Sequence, residues 1–194
     1  MSKYKNICVF GASSPNTPKE YLKVALILGT LIARSKSVCI CGAGRAGVMG
    51  AVIDGALKYF GAVIGVIPQF MVDNGWHNPM LKETIVTPDM HSRKQAMIDQ
   101  SDAFIAMPGG CGTFEELMEV ITWKQLGLFS KPIIILNVYG FYDSLIALFE
   151  KSIEEKFMKI GDSKLWSVAT TPEEAMEILE NYDETLVEKQ ELKY

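Results

Sequence analysis

Six apolar runs of strand length alternate along this chain with six longer helical patterns, and that alternation restricts the fold more than any other feature. The runs are Asn6–Phe10, Val38–Cys41, Ala62–Ile67, Glu83–Val86, Ala103–Met107 and Pro132–Asn137, with a short seventh near Leu165–Val168. Several are apolar at nearly every position, the pattern of parallel strands covered on both faces. The helical patterns fall at Pro18–Ser35, Gly47–Phe60, Asp89–Ser101, Phe114–Leu126, Phe141–Lys156 and Pro172–Asn181. Thr171-Pro172-Glu173-Glu174 is a clear helix start, with a cap, a proline and two acids near the positive end of the dipole. The expected architecture is a doubly wound α/β sheet, mostly parallel, with right-handed crossovers and helices on both faces. In such sheets ligands sit at the carboxyl ends of the strands. Gly11–Thr17, Gly42–Gly50 and Pro108–Thr113 each follow a strand, and Met90–Lys94 opens a helix, so one crevice is expected where these four segments meet.

A length of 194 residues suits one domain spanning 1–194, with the charged stretch 181–194 as a tail or frayed helix. The formal net charge of −4 argues against a nucleic-acid partner, which selects a basic surface. No apolar stretch reaches the length of a membrane span, and the first residues lead into a strand rather than a signal-peptide core. A cytoplasmic protein is the expectation. Cys39 and Cys41 are two apart on one strand, so they share a face and are poorly placed to bridge each other. With Cys8 they read as small buried hydrophobes, and no cysteine or histidine spacing suggests a metal.

The motif richest in chemistry is Met107-Pro-Gly-Gly-Cys-Gly-Thr-Phe-Glu-Glu-Leu-Met-Glu119. An apolar strand feeds three glycines and then a helix. Glycine lets backbone approach an anion without an intervening Cβ, and the helix start offers unpaired N–H groups to a phosphate. Glu116 in the first turn then lies within reach of whatever that phosphate carries. Thr113-x-x-Glu116 also has the form of a capping box, in which Glu116 bonds back to the Thr113 amide. Gly42-Ala-Gly-Arg-Ala-Gly47 fits G-x-G-x-x-G, but the next strand ends Ile64-Gly-Val-Ile-Pro68 without the acid that a dinucleotide site needs on its ribose. A loop for one phosphate or ribose, or simple tight packing, fits better. Gly11-Ala12-Ser13-Ser14 suits a loop beneath a nucleotide, or a turn and cap.

On the helix Asp89–Ser101, Met90 and Met97 share a line, and Arg93 and Lys94 flank it, each roughly 50° away. Two cations thus border an inward face, where an anionic ligand or a protein carboxylate must neutralise them. Neither His77 nor His91 is placed as a base for Cys111, so a cysteine nucleophile is not expected. Met71, Trp76, His77 and Met80 lie in a loop that either roofs a base pocket or only covers the surface.

Pro108-Gly-Gly-Cys-Gly-Thr-Phe-Glu-Glu116 resembles the PGGxGTxxE signature of the LOG family, the cytokinin riboside 5′-monophosphate phosphoribohydrolases, which often carry the label lysine decarboxylase. Met90-His-Ser-Arg-Lys94 is similar to the family's MHxRK segment, and residues 41–50 to its GGGxxGLMG loop, with Ala43 at the middle glycine. The likeness runs from about Ile7 to Phe157. It implies a Rossmann-like fold, a homodimer, and hydrolysis of a purine nucleoside 5′-monophosphate to free base and ribose 5-phosphate, with no cofactor or metal. By the family pattern Arg93 and Glu116 are the catalytic pair. Lys94, Gly109, Gly110, Cys111, Gly112, Thr113 and Thr122 would contact the nucleotide, with Ser13, Ser14, Gly42 and Gly44 in the neighbouring loops. A non-catalytic nucleotide or molybdenum-cofactor carrier on the same fold is the alternative. True decarboxylation finds no strand-end lysine to anchor pyridoxal.

Overall fold

The computed structural model describes residues 3–183; the expected tail beyond Asp183 lies outside them. Seven strands form one sheet: β1 (Asn6–Phe10), β2 (Val38–Cys41), β3 (Val63–Pro68), β4 (Glu83–Thr87), β5 (Ala103–Ala106), β6 (Ile133–Leu136) and β7 (Ser167–Ala169). Their order is β4-β3-β2-β1-β5-β6-β7, and every neighbouring pair is parallel. The chain moves outward from β1 to β4 and then crosses back to β5. The β1/β5 boundary is therefore the topological switch point, where loops leave neighbouring strands in opposite directions and open a crevice.

The helices are α1 (Lys19–Arg34), α2 (Gly47–Lys58), α3 (Gln69–Asp73), α4 (Met90–Asp99), α5 (Cys111–Gln125), α6 (Asp143–Glu154) and α7 (Pro172–Asn181). Alternate residues of the strands feed two cores, as a period of two requires. Ile7, Val9, Cys39 and Cys41 join α1, α2 and α7 on one face, while Cys8, Phe10, Ile40 and Phe104 join α4, α5 and α6 on the other. Cys8, Cys39 and Cys41 are fully buried, and burial pushes the Cys8 thiol well up, so it serves as a hydrophobe.

Helices α1 and α2 approach unusually closely. A Cβ on Gly29 would lie 2.0 Å from the Val52 carbonyl oxygen, and one on Gly55 would lie 2.1 Å from that of Leu26. Two departures from the sequence expectation matter for the cavity. Helix α3 has no counterpart in that expectation, because five residues with none buried leave no periodic signal. Helix α5 begins at Cys111 rather than Phe114, with Gly110 as its cap. Gly110 and Gly112, expected in a turn, form the cap and first turn, and Gly109 precedes them.

Candidate functional site

Arg93 owes its position to the start of α4. The Asp89 carboxylate accepts the Ser92 N–H at 2.7 Å, which fixes the first turn and directs Arg93 toward the sheet. There the side chain is buried, with the residue only 7% exposed, and three elements hold it. Its Nε donates to the Val66 carbonyl at 3.1 Å, and its Nη1 donates to Glu116 Oε1 at 2.7 Å. A Cβ on Gly42 would lie 2.2 Å from Nη2, so that position is glycine to make room for a guanidinium. Glu116, equally buried, supplies the counter-charge from α5. Burial pushes its carboxyl above the usual range, and the charge and hydrogen bond of Arg93 pull it back. Either ion alone would be costly here, by several kcal/mol.

The capping box expected at Thr113–Glu116 does not form. Helix α5 has already started, so Thr113 is its third residue and Glu116 faces Arg93 instead of the Thr113 amide. Thr113 is buried with its hydroxyl over Gly109: a Cβ on that glycine would lie 2.1 Å from Oγ1. Gly110 and Gly112 differ, since a Cβ on either meets nothing within 4 Å. They bring bare backbone and the first N–H groups of α5, which have no intrahelical acceptor, to open space.

The turn before α5 is held from behind. Tyr142, nearly fully buried, donates its hydroxyl to the Met107 carbonyl at 2.7 Å, and burial raises the phenol so that it remains a donor. The Ala12 N–H donates to the Pro108 carbonyl at 3.2 Å, and the Met49 N–H to the Ala12 carbonyl at 3.0 Å, so all three strand-end loops are stitched together. Ala43 takes a left-handed conformation with φ of 59°, where the family pattern has glycine. Its methyl fits because Gly65 has none: a Cβ there would come within 2.6 Å.

These loops enclose a cavity of about 700 Å³ at the switch point. The four segments that the sequence pointed to all reach its wall. Ser13, Ser14, Gly42, Gly44, Gly110, Gly112 and Thr113 line it, with Arg93 and Glu116. Met49, Ile67, Met71, Trp76 and Met90 make an apolar portion. In the 69–82 segment, Trp76 and Met71 thus face the cavity, while His77 and Met80 do not. His77 instead pairs its backbone with Gly44, and the Asn78 N–H donates to the Ala43 carbonyl at 2.8 Å.

Four expected nucleotide contacts lie off the wall. Lys94 Nζ is held between Glu115 at 2.8 Å and Glu119 at 3.3 Å, which neutralise it within the protein. Cys111 is exposed, Thr122 is exposed three turns along α5, and Gly109 is covered by Thr113. Arg45, not expected from sequence, lines the cavity as well. It sits in a glycine-rich loop without periodicity, so residue spacing gives its side chain no direction. Among the described residues no group of histidine, cysteine, aspartate or glutamate could hold a metal ion, and no helix is long and apolar enough to cross a membrane.

Fold and site together define a Rossmann-like α/β protein with a cavity at its switch point, a buried Arg–Glu pair and a helix N-terminus on the wall. The family model described as possible lysine decarboxylase matches residues 49–179. A probable cytokinin riboside 5′-monophosphate phosphoribohydrolase of Oryza sativa subsp. japonica is 42% identical over 182 residues, covering 93% of this chain and 72% of that protein. A cytokinin riboside 5′-monophosphate phosphoribohydrolase of Arabidopsis thaliana is 40% identical over 181 residues, covering 93% of this chain and 85% of its own length. The chain belongs to this LOG family. Among solved structures, the molybdenum cofactor binding protein of Rippkaea orientalis superposes with a TM-score of 0.71 at 24% identity, covering 92% of this chain and 97% of that one. The molybdenum cofactor carrier protein of Chlamydomonas reinhardtii gives 0.69 at 23%, covering 96% and 99%. At those identities the likeness is one of fold.

Proposed function

We propose that the chain hydrolyses the N-glycosidic bond of purine nucleoside 5′-monophosphates, N6-substituted adenine nucleotides among them, releasing free base and ribose 5-phosphate. The observation that carries this reading is the Arg93–Glu116 pair on the wall of one cavity, between backbone suited to a phosphate and an apolar surface suited to a base. The phosphoribohydrolases named above, at about 40% identity across nearly the whole chain, support it.

The chemistry follows from charge. Breaking the bond from C1′ to the base sends the bonding electron pair to the leaving purine and builds positive charge on the ribose ring. The Glu116 carboxylate stabilises that charge and orients the water whose oxygen adds to C1′. Water loses a proton to the carboxylate as its oxygen bonds C1′, and the purine nitrogen gains one from solvent, so the base leaves neutral and the step balances. Arg93 keeps Glu116 ionised and lies close to the departing group. Gly110, Gly112 and Thr113 hold the phosphate and so set the distance from C1′ to Glu116. Trp76, Met71 and their apolar neighbours take the base. A homodimer in the cytoplasm completes the reading.

Glu116→Gln tests it. Glutamine keeps an acceptor for Arg93, so the protein folds, but release of base from AMP or N6-prenylated AMP falls about a thousandfold. A variant that turns over at the parent rate removes Glu116 from the reaction. A parent protein that binds these nucleotides and yields no base is a non-catalytic binding protein. Decarboxylation through pyridoxal needs a lysine for the Schiff base, and among the described residues no lysine lines the cavity.

A further inference from the structure

The charges around the cavity leave one cation over. Arg93 is committed to Glu116, and Lys94 to Glu115 and Glu119. Glu115 and Glu116 both reach the cavity wall beside the N-terminus of α5, where their charges oppose an incoming phosphate. The chain as a whole carries −4. A phosphate dianion therefore meets a site whose two most obvious cations are already neutralised, and backbone N–H groups contribute only about half a charge. Arg45 lines the same cavity, is exposed, and has no carboxylate partner among the described residues.

Its backbone is fixed on both sides. Gly44 pairs with His77, and the Gly50 N–H closes the first turn of α2 on the Ala46 carbonyl at 3.0 Å. The Arg45 carbonyl itself packs on Gly50, where a Cβ would come within 2.6 Å. Gly47, with φ of 65°, presses against the carbonyls of Ala12 and Ser14, which locks the loop to Ser13 and Ser14. A fixed backbone thus carries an unpaired guanidinium on the cavity wall, and its planar fork suits charge-assisted bonds to phosphate oxygens.

We propose that Arg45 is a substrate-positioning residue that binds the 5′-phosphate from the wall facing α5, and so selects nucleotides over nucleosides. The proposal rests on the hydrolase reading for its kinetic arm only. The test is Arg45→Gln, compared with the parent protein by calorimetric titration with ribose 5-phosphate and by kinetics on AMP and N6-prenylated AMP. Affinity for ribose 5-phosphate falls roughly ten- to a hundredfold, KM rises by a similar factor, and kcat stays within about twofold. Unchanged affinity for ribose 5-phosphate overturns the proposal, as does a loss confined to kcat. A changed sedimentation coefficient with unchanged affinity also overturns it and assigns Arg45 to a subunit contact. If the parent protein releases no base at all, the hydrolase reading fails, and the titration still decides Arg45.

Discussion

The two glycine-rich turns of this site look alike in sequence and work in opposite ways. Each follows a parallel strand and opens a helix. In the turn after β2 and the start of α2, three of the four glycines are filled against by the protein, Gly42 by Arg93 at 2.2 Å, Gly47 by the Ala12 carbonyl at 2.6 Å and Gly50 by the Arg45 carbonyl at 2.6 Å, while Gly44 meets nothing closer than 3.5 Å. In the turn after β5, Gly110 and Gly112 face nothing within 4 Å. The first turn is glycine because neighbours need the space; the second leaves space that a ligand can use. Gly109, packed under Thr113, belongs with the first kind although it stands in the second turn.

Alanine at matched positions separates the two. Gly47→Ala produces the largest effect, because a Cβ meets backbone carbonyls and the φ of 65° is strained for any side chain. It destabilises by about 2–4 kcal/mol, read as a lower urea midpoint with an unchanged slope. Gly42→Ala comes next. The added methyl displaces a pinned guanidinium, and base release falls about a hundredfold as the pair loses its geometry.

That variant also has a pH signature. Arg93 opposes the upward push of burial on the Glu116 carboxyl. With the guanidinium displaced, burial acts with less opposition and the proton leaves at higher pH. The acid limb of kcat/KM therefore moves to higher pH. A folded-state value raised further above the unfolded one contributes stability that is complete below the unfolded pKa and lost as pH rises through the folded pKa. The variant's stability accordingly falls more steeply than the parent's from mildly acidic pH toward neutrality. A coincident acid limb in the two proteins would break the link between Gly42 and Glu116.

The smallest effect is expected at Gly112→Ala. Alanine favours the helix by up to about 1 kcal/mol, so the melting temperature holds or rises slightly. The methyl enters the open space, and ribose 5-phosphate binds about tenfold more weakly. A variant that binds as well as the parent would place the ligand elsewhere in the cavity.

The contrast also explains what could be read from residues alone. Strands and most helices were legible because unbroken apolar runs and helical periods report burial directly, as in Ile133–Leu136 and Ala103–Ala106. Arg93 was legible as a cation bordering an inward face, and Glu116 as a carboxylate close behind the glycines. Their direct contact was not, because the helical wheel of α4 says nothing about α5. Lys94 shows the same limit: its angle was right, but Glu115 and Glu119 claim it. The false capping box at Thr113 arose because three residues usually poor in helix, Cys111, Gly112 and Thr113, form the first turn after all. The role of a glycine depends on what lies opposite it, and no local pattern carries that information.

Trp76 and Met71 belong to a segment joined to the first glycine turn by one backbone bridge and the Asn78–Ala43 hydrogen bond, while the Arg93–Glu116 pair is anchored to the sheet and to α5. On the proposed reading, the part of the base wall made by Trp76 and Met71 is carried by a different segment from the Arg93–Glu116 pair. If that reading holds, diversification of this scaffold has an easy route: exchanging residues 69–82 alters the menu of accepted bases and leaves the Arg93–Glu116 pair in place.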